Sequence, residues 1–205
     1  MMAAIALPDV GYQVAYPQLV ESVSMARAGN RAMAFVEFAD PTWQITMRTV
    51  PLKAGPRLAV EAFRDATRGG LQTVRYSPTH MCIPRAYWGD ADNPALDDSG
   101  NLVSITDGRV LAVSSVSNGL TLGAGDLISL ATGDYRSLHR IQSGGVAASS
   151  AISVTVEPPV PGYIAAGAVV KFKAPELNMR VLPGSFSIPD ELFPVASFTL
   201  VEVPK

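Results

Sequence analysis

Residues 43–50 read WQITMRTV, and apolar and polar side chains alternate along this stretch. Trp43, Ile45 and Met47 fall on one face, whereas the positions between them carry an amide, a hydroxyl and a guanidinium. Because successive side chains of a β-strand point to opposite faces, the pattern predicts a strand that is buried on one face only. This half-buried strand is the first indication of a mainly β protein.

Two shorter apolar runs precede that strand. Residues 23–28 and 32–38 flank the sequence GNR at 29–31, and its Gly-Asn pair suits the positive φ angles of a tight turn. The two runs therefore predict a β-hairpin. The Asp-Pro pair at residues 40–41 predicts a further turn before the next strand.

Residues 56–68 show the one convincing helical pattern. Proline stands near the first helical position, and Gly69 and Gly70 follow the last turn, where they supply a left-handed cap. The apolar spacing predicts a two-faced helix that lies on a sheet, and a strand over residues 71–76 follows it. The apolar face predicted in this way consists of Leu58, Ala59, Ala62, Phe63 and Ala66.

The composition of the chain changes after residue 77. Proline, aromatic residues and aspartates mark residues 77–101, which we interpret as a crossing between domains or a long exposed loop, with a turn at 97–101. Beyond it, short β-branched runs bounded by glycine or proline predict a small barrel or sandwich. The five predicted strands cover residues 110–116, 127–130, 138–142, 152–156 and 169–172.

Alternation returns after Pro175, and we expect the last strands to rejoin the first sheet. The predicted fold is therefore mainly β, with two domains. The first domain is formed by residues 1–80, includes the helix, and is completed by residues 176–205. The second is a small β-barrel inserted at residues 81–175.

The composition excludes several classes of protein. Of the 205 residues, 48% are hydrophobic and 17% are charged, which is unlike a disordered chain. The single cysteine, Cys82, cannot form an intramolecular disulfide, and no apolar stretch is long enough to cross a bilayer. The first residues lack the basic start of a secretory signal, so we expect a soluble protein made in the cytosol, with no membrane partner.

Charge is distributed unevenly along the chain. Residues 27–85 carry nine Lys/Arg and four Asp/Glu, whereas residues 86–107 carry five aspartates and no base. The formal net charge is −2, so there is no domain-wide basic field and we expect no specific nucleic-acid binding. Each patch is either a solvated surface or part of a subunit interface.

The search for catalytic and metal-binding motifs finds none. His80 and His139 are the only histidines, and no zinc-type ligand spacing surrounds them; we expect His80 in a loop and His139 on the barrel surface. No serine stands in a Gly-x-Ser-x-Gly sequence, and residues 123–126 do not continue into a nucleotide fingerprint. Residues 90–93 begin like a calcium loop but lack its later ligands. We therefore expect no cofactor, no metal and no enzymatic activity.

Five segments stand in a distinctive order along the chain. They are AFRDATRGGLQTVRYSP at 62–78, LGAGDLI at 122–128, SLHRI at 137–141, ISVTVEPP at 152–159 and FTLVE at 198–202. In this order the chain resembles the distal tail proteins of siphovirus-like tailed bacteriophages. In that family a helix ending in Arg-Gly runs into a strand, and a Gly-Asp strand, a Leu-His strand and a strand ending in paired prolines follow.

The resemblance implies a virion protein of the tail tip that is present in the host cytoplasm during assembly. Members of the family form a ring, commonly a homohexamer, that joins the tail tube to the hub and the receptor-binding apparatus. The implied partners are further copies of this chain, the tail tube protein, the tail hub protein and other tail-tip proteins. The implied fold is a ring-forming β-sandwich with an outward OB-like barrel. Arg57, Arg64 and Arg68 are our candidate subunit-interface residues.

Other functions remain open at this point. Tyr87 and Trp88 could form an aromatic sugar platform, which would make the barrel a carbohydrate-binding module; alternatively they anchor the loop against the domain. Another tail ring, such as a tail terminator, has a similar β-rich composition. A small hydrolase that uses His139 ranks last.

Overall fold

The computed structural model describes residues 4–29 and 32–205, and it is mainly β with one α-helix. The helix α1 covers Ala54–Thr67, and short 3₁₀ turns lie at Arg68–Gly70, Arg85–Tyr87 and Pro94–Leu96. Within the described ranges, no helix is long and apolar enough to span a membrane. The strands are β1 (Ile5–Ala6), β2 (Tyr12–Val14), β3 (Gln18–Ala28), β4 (Ala32–Thr49), β5 (Val74–Tyr76), β6 (Gly100–Thr106), β7 (Val110–Ser114), β8 (Thr121–Leu122), β9 (Leu127–Thr132), β10 (Tyr135–Ser143), β11 (Gly145–Val146), β12 (Ala151–Glu157), β13 (Val169–Lys171), β14 (Leu177–Val181) and β15 (Ser197–Glu202).

A seven-stranded sheet combines strands from both ends of the chain. Its order is β1-β5-β14-β15-β4-β2, and β3 pairs with β4 off this path. Strand β14 is antiparallel to both β5 and β15, and β15 in turn pairs with β4. The strands that follow Pro175 therefore lie in the middle of the sheet, between the early strands β5 and β4.

The inner face of this sheet is its buried face. Trp43, Ile45 and Met47 lie there, as their alternation predicts, and Phe198 and Leu200 of β15 lie beside them in the same apolar cluster. Burying one large apolar side chain stabilises the fold by about 1.5–3 kcal/mol. The polar side chains of β4 between these positions are exposed or half-exposed, so this part of the sheet has one buried face and one solvent-exposed face.

Helix α1 packs on the inner face through a different side from the one that its alanines predict. It spans Ala54–Thr67 instead of residues 56–68, and its buried apolar side chains are Val60 and Phe63. Leu58, placed on the buried face by the sequence pattern, is exposed. The predicted face was therefore wrong except at Phe63. Valine and phenylalanine bury more apolar area than three alanines do, so packing rotates the helix toward them.

Strand β4 runs without interruption through the turn predicted at residues 40–41. The ladder between β3 and β4 shifts register between Val20 and Ser22 and again between Ser22 and Val23. A bulge of this kind accommodates Pro41, which has no N–H to give to a ladder, so the strand bends instead of turning back. The tip of the predicted hairpin includes Asn30 and Arg31, which lie outside the described residues.

Six strands close a barrel in the order β10-β12-β7-β6-β13-β9. Five of them match the predicted strands to within a few residues, and the sixth, β6, was missed because turn-forming residues at 97–101 mask its start. Strand β6 pairs with β7 and β13 and so completes the barrel. Its first residue, Gly100, is packed so closely that a Cβ there would lie 2.5 Å from a methyl carbon of Val113.

His139 is fully buried, which corrects the expected place on the barrel surface. Ser137, His139 and Ile141 share one face of β10, and Ile141 belongs to the barrel core. The Nδ1 atom of His139 lies 2.8 Å from the Pro158 carbonyl oxygen, and Nε2 lies 2.9 Å from the Ser137 hydroxyl. Burial lowers the pKa of His139 to about 4, although the bond to Pro158 favours the protonated ring.

Trp43 joins the sheet to the barrel. Its indole Nε1 donates a 2.6 Å hydrogen bond to the carbonyl oxygen of Leu138 on β10, and its backbone N–H donates to Glu202 at 2.9 Å. The guanidinium of Arg140 lies 5.1 Å from the centre of the indole ring. Leu127 and Leu138 of the barrel belong to the apolar cluster of the sheet, so one core continues across the junction.

Replacing this tryptophan tests the junction. Trp43→Phe leaves the buried Leu138 carbonyl without its donor and replaces the indole beneath Arg140 with a smaller ring that attracts a cation less strongly, so we expect a loss of about 3 kcal/mol in the free energy of unfolding. The matched control is Trp88→Phe, because Trp88 is 62% exposed and its change should be below about 0.5 kcal/mol. Urea unfolding of both variants measures the difference, and equal losses would contradict the assignment.

The buried histidine predicts an acid-sensitive fold. Between the ordinary pKa of histidine, 6.5, and about 4, the unfolded chain binds a proton that the folded chain does not, so stability falls as the pH falls. Comparison with His139→Gln isolates this contribution, and the wild type should lose about 2.5 kcal/mol more than the variant between pH 7 and pH 4.5. Urea unfolding at the two pH values checks this, and parallel losses in both proteins would refute it.

Candidate assembly surface

A two-stranded hairpin arm, residues 20–29 and 32–42, extends beyond the paired part of the sheet. Strand β4 meets β15 only between Gln44 and Arg48, and it meets β2 only at Arg48 and Thr49. Along the arm, β3 is therefore the one described partner of β4, and β4 is the one described partner of β3. Both long edges of the arm carry backbone N–H and C=O groups without a neighbouring strand.

One face of the arm carries a group of large apolar side chains. Met25 stands directly opposite Phe35 in the ladder, and the two are 61% and 66% exposed. Cross-strand neighbours of this kind contact each other, but nothing in the described chain covers them from outside. The face consists of Val23, Met25, Met33 and Phe35, with Arg27 and Glu37 at its two ends.

The opposite face of the arm is apolar as well. Val36 projects there and is 57% exposed, and Phe38, which lies at the neighbouring register shift, is 70% exposed. Their neighbours on this face are small: Ser24 lies opposite Val36, and Ala26 lies opposite Ala34. A strand exposed to water on one side normally presents polar residues there, so the arm lacks the solvated face that the rest of β4 has.

An isolated two-stranded ribbon is marginally stable in water. The part of β3 in the arm, residues 20–28, has nine residues at about 3.4 Å each and is about 30 Å long; two strands make the arm about 10 Å wide, so its two faces together offer about 600 Å². One side of a standard protein interface buries about 800 Å². The arm therefore offers about three quarters of that area, and it has the apolar character of surfaces that mark interaction sites.

The exposed side chains of the arm were not identified from the sequence, although the hairpin was. The signal that marks them is the imperfect alternation of MAFVEF at residues 33–38. Large apolar side chains occupy both odd and even positions there, which leaves neither face of the ribbon polar. That pattern distinguishes a strand covered on both sides from the half-buried strand at residues 43–50.

The three candidate interface arginines lie on or beside helix α1 and not on the arm. Arg57 forms a 3.0 Å ion pair with Glu61, and Arg64 lies 3.3 Å from Asp65. Arg68 ends the helix in a left-handed conformation with φ 50° and is exposed. Exposed pairs of this kind contribute little to stability. A role of these arginines in a subunit contact stays a prediction.

Tyr87 and Trp88 have different environments. The Tyr87 hydroxyl accepts a 2.9 Å hydrogen bond from the Thr121 N–H, and its ring packs against the barrel core. Trp88 points its ring to solvent, and its Nε1 lies 3.4 Å from the carbonyl oxygen of Ile83. Tyr87 is therefore an anchor of the loop, and Trp88 is the aromatic side chain of the pair that is open to a ligand.

Comparison with known proteins leaves the function to be inferred from these residues. No family model matches the chain, and no curated protein sequence matches it. In the part of the chain that the structure describes, no group of three or more His, Cys, Asp or Glu side chains could hold a metal ion. We therefore take the hairpin arm, with its exposed apolar side chains, as the candidate functional surface.

Proposed function

We propose that the protein is a structural component of a bacteriophage tail tip, where six copies form the distal ring that joins the tail tube to the hub and the receptor-binding apparatus. The hairpin arm carries this proposal, because it is apolar on both faces and unpaired on both edges. The five ordered segments that resemble distal tail proteins supply the tail context.

Assembly would act on the arm in two ways. An edge strand of one copy can pair with the exposed backbone of its neighbour, and a closed ring leaves no such edge unpaired. The same contact would bury Met25, Phe35 and Phe38, whose exposure is unfavourable in a free chain. The role of the protein is then geometric and not catalytic.

The finer features of the proposal follow from the resemblance. The seven-stranded sheet with its helix, residues 1–80 and 176–205, would be the ring-forming β-sandwich, and the closed barrel within residues 81–175 would be an outward OB-like domain. The tail tube, hub and other tail-tip proteins would be its partners. The chain would need no cofactor, and its location would be the virion tail tip after assembly in the host cytoplasm.

Mass measurement tests the self-association. Six copies of the 21.6 kDa chain weigh about 130 kDa, and we expect light scattering after size exclusion at high salt, where charge contacts between copies are screened, to give that mass, with rings in negative-stain images of the same peak. Phe35→Ala should shift the mass toward the single chain while its unfolding free energy changes by less than about 1 kcal/mol, because the side chain is 66% exposed.

Leu192→Ala is the matched control for this variant. Leu192 is the most exposed large apolar side chain described, at 85%, and it lies outside the arm in the segment between β14 and β15. We expect Leu192→Ala to keep the mass of the wild type. A wild-type chain that stays monomeric at every concentration, or equal effects of the two substitutions, would contradict the proposal.

Trp88 favours one alternative, a carbohydrate-binding module. Its exposed ring stands close in sequence to Asp90 and Asn93, and aromatic rings with carboxylate and amide groups are common contacts for sugars. On that function the isolated protein should bind glycans on an array, and Trp88→Ala should abolish the binding whereas Tyr87→Phe should keep it. Absence of glycan binding by the wild type would eliminate this alternative.

A further inference from the structure

Arg180 on β14 lacks the partners that a half-buried arginine normally has. Its Nε atom is closed off from solvent and makes no hydrogen bond. Among the ion pairs formed within the described residues, none includes Arg180. A partly desolvated cation without a counter-ion is costly, and arginine is enriched at protein interfaces.

Arg180 belongs to a basic patch on the outer face of the sheet. Residues two apart on a strand share a face, so Arg180 lies on the side of Asn178, and Arg75 is the ladder partner of Asn178. Arg75 and Arg136 approach the carboxylate of Glu176 to 3.8 and 3.4 Å. Arg180 is the diagonal cross-strand neighbour of Arg75. We call Arg75, Arg136, Lys171 and Arg180 the basic patch; the first three surround Glu176.

Glu176 does not neutralise this patch. Partial burial alone would raise the pKa of Glu176, but Lys171 at 2.9 Å and the two arginines hold it below the usual range, so the carboxylate stays ionised. Glu176 supplies one negative charge, and the four residues of the basic patch supply four positive charges. The patch keeps a local excess of about three positive charges, and Arg180 is the member that Glu176 does not reach within ion-pair distance.

An acidic loop, residues 90–98, lies next to the basic patch on the same chain. Its aspartates 92 and 97 extend into solvent, and each comes only within 3.9 Å of the Lys173 ammonium. Lys171 of the basic patch precedes Lys173 by two residues, about 7 Å along an extended backbone. The basic patch and the acidic loop therefore lie on either side of the end of β13. Among the described residues, no ion pair joins the acidic loop to the basic patch.

We propose that the acidic loop of one copy binds the basic patch of a second copy across a two-fold axis. Two adjacent patches of opposite charge form a self-complementary surface, because a half-turn places each acidic loop on the other copy's basic patch. Aspartates of the partner would give Arg180 its missing counter-ion. This contact is separate from the hairpin arm and goes beyond ring formation, since it joins copies in pairs.

Charge substitution in a chain without the arm contact tests this pairing. In the Phe35→Ala background we expect a dimer of about 43 kDa at low salt that dissociates as salt is raised. Adding Arg180→Gln should weaken the dimer at least tenfold, measured by sedimentation at several concentrations. Arg109→Gln is the control, because it removes the same charge from an arginine that already has a carboxylate partner, Glu157, on the barrel.

Mixing two variants gives a second readout. Chains with Arg180→Glu repel each other's aspartates, and chains with Asp92→Lys and Asp97→Lys repel each other's arginines, so each variant alone should be monomeric in the Phe35→Ala background. An equimolar mixture should recover a dimer, since each variant then meets the opposite charge in the other. Thermal melting of each variant establishes that it is folded.

The outcomes separate this inference from the proposed ring. If Arg180→Gln and Arg109→Gln leave the same dimer affinity, or the mixture stays monomeric while both variants are folded, the pairing is wrong and the ring proposal stands. If Phe35→Ala leaves the wild-type mass unchanged, the arm is not the ring contact, whereas the effect of Arg180→Gln still decides the pairing. A Phe35→Ala chain that is monomeric even at low salt overturns the pairing directly.

Discussion

Trp43 makes three contacts that fix its position: its indole Nε1–H donates to the Leu138 carbonyl, its backbone N–H donates to Glu202, and the Arg140 guanidinium lies over its ring. Trp43 is also the residue at which β4 leaves the sheet. On its C-terminal side the strand lies between β15 and β2, and on its N-terminal side β3 is the described partner. The same contact thus fixes the barrel on the sheet and the root of the hairpin arm.

This constraint explains how a marginal two-stranded ribbon can keep a fixed direction. The buried half of β4 is an alternating strand with a dry face, so it orients the exposed half without help from the arm's own side chains. The barrel is held to the same point, and its position relative to the arm is therefore set before any second copy arrives. A preorganised arm loses less conformational freedom on binding than a free segment would.

The sequence predicted those parts of the fold whose residue pattern is typical of a single kind of secondary structure. The alternation at residues 43–50 and the short glycine-bounded runs of the barrel are of this kind. The helix face was misjudged because alanines mark a periodicity without carrying much packing energy, whereas Val60 and Phe63 do. Strand β6 was missed because Asp97, Asp98 and Gly100 read as a turn, although Gly100 is required for close packing.

Other features depend on contacts between distant segments and have no local signature. His139 is satisfied by the carbonyl of Pro158, nineteen residues away, and Glu176 pairs with Arg75, Arg136 and Lys171 from three other segments but not with Arg180. The free edges of the arm are likewise a property of the whole sheet order, since a strand's sequence does not state how many partners it has. The candidate surface therefore had to be read from the structure.

Amide hydrogen exchange of the hairpin arm, compared between dilute and concentrated protein, tests the central claim most directly. The outward amides of the arm are unpaired in the single chain, and a neighbour that pairs with them slows their exchange. The account predicts that residues 20–29 and 32–42 gain protection as the protein associates, whereas the barrel strands keep theirs unchanged. Association without any slowing of exchange in the arm would contradict it.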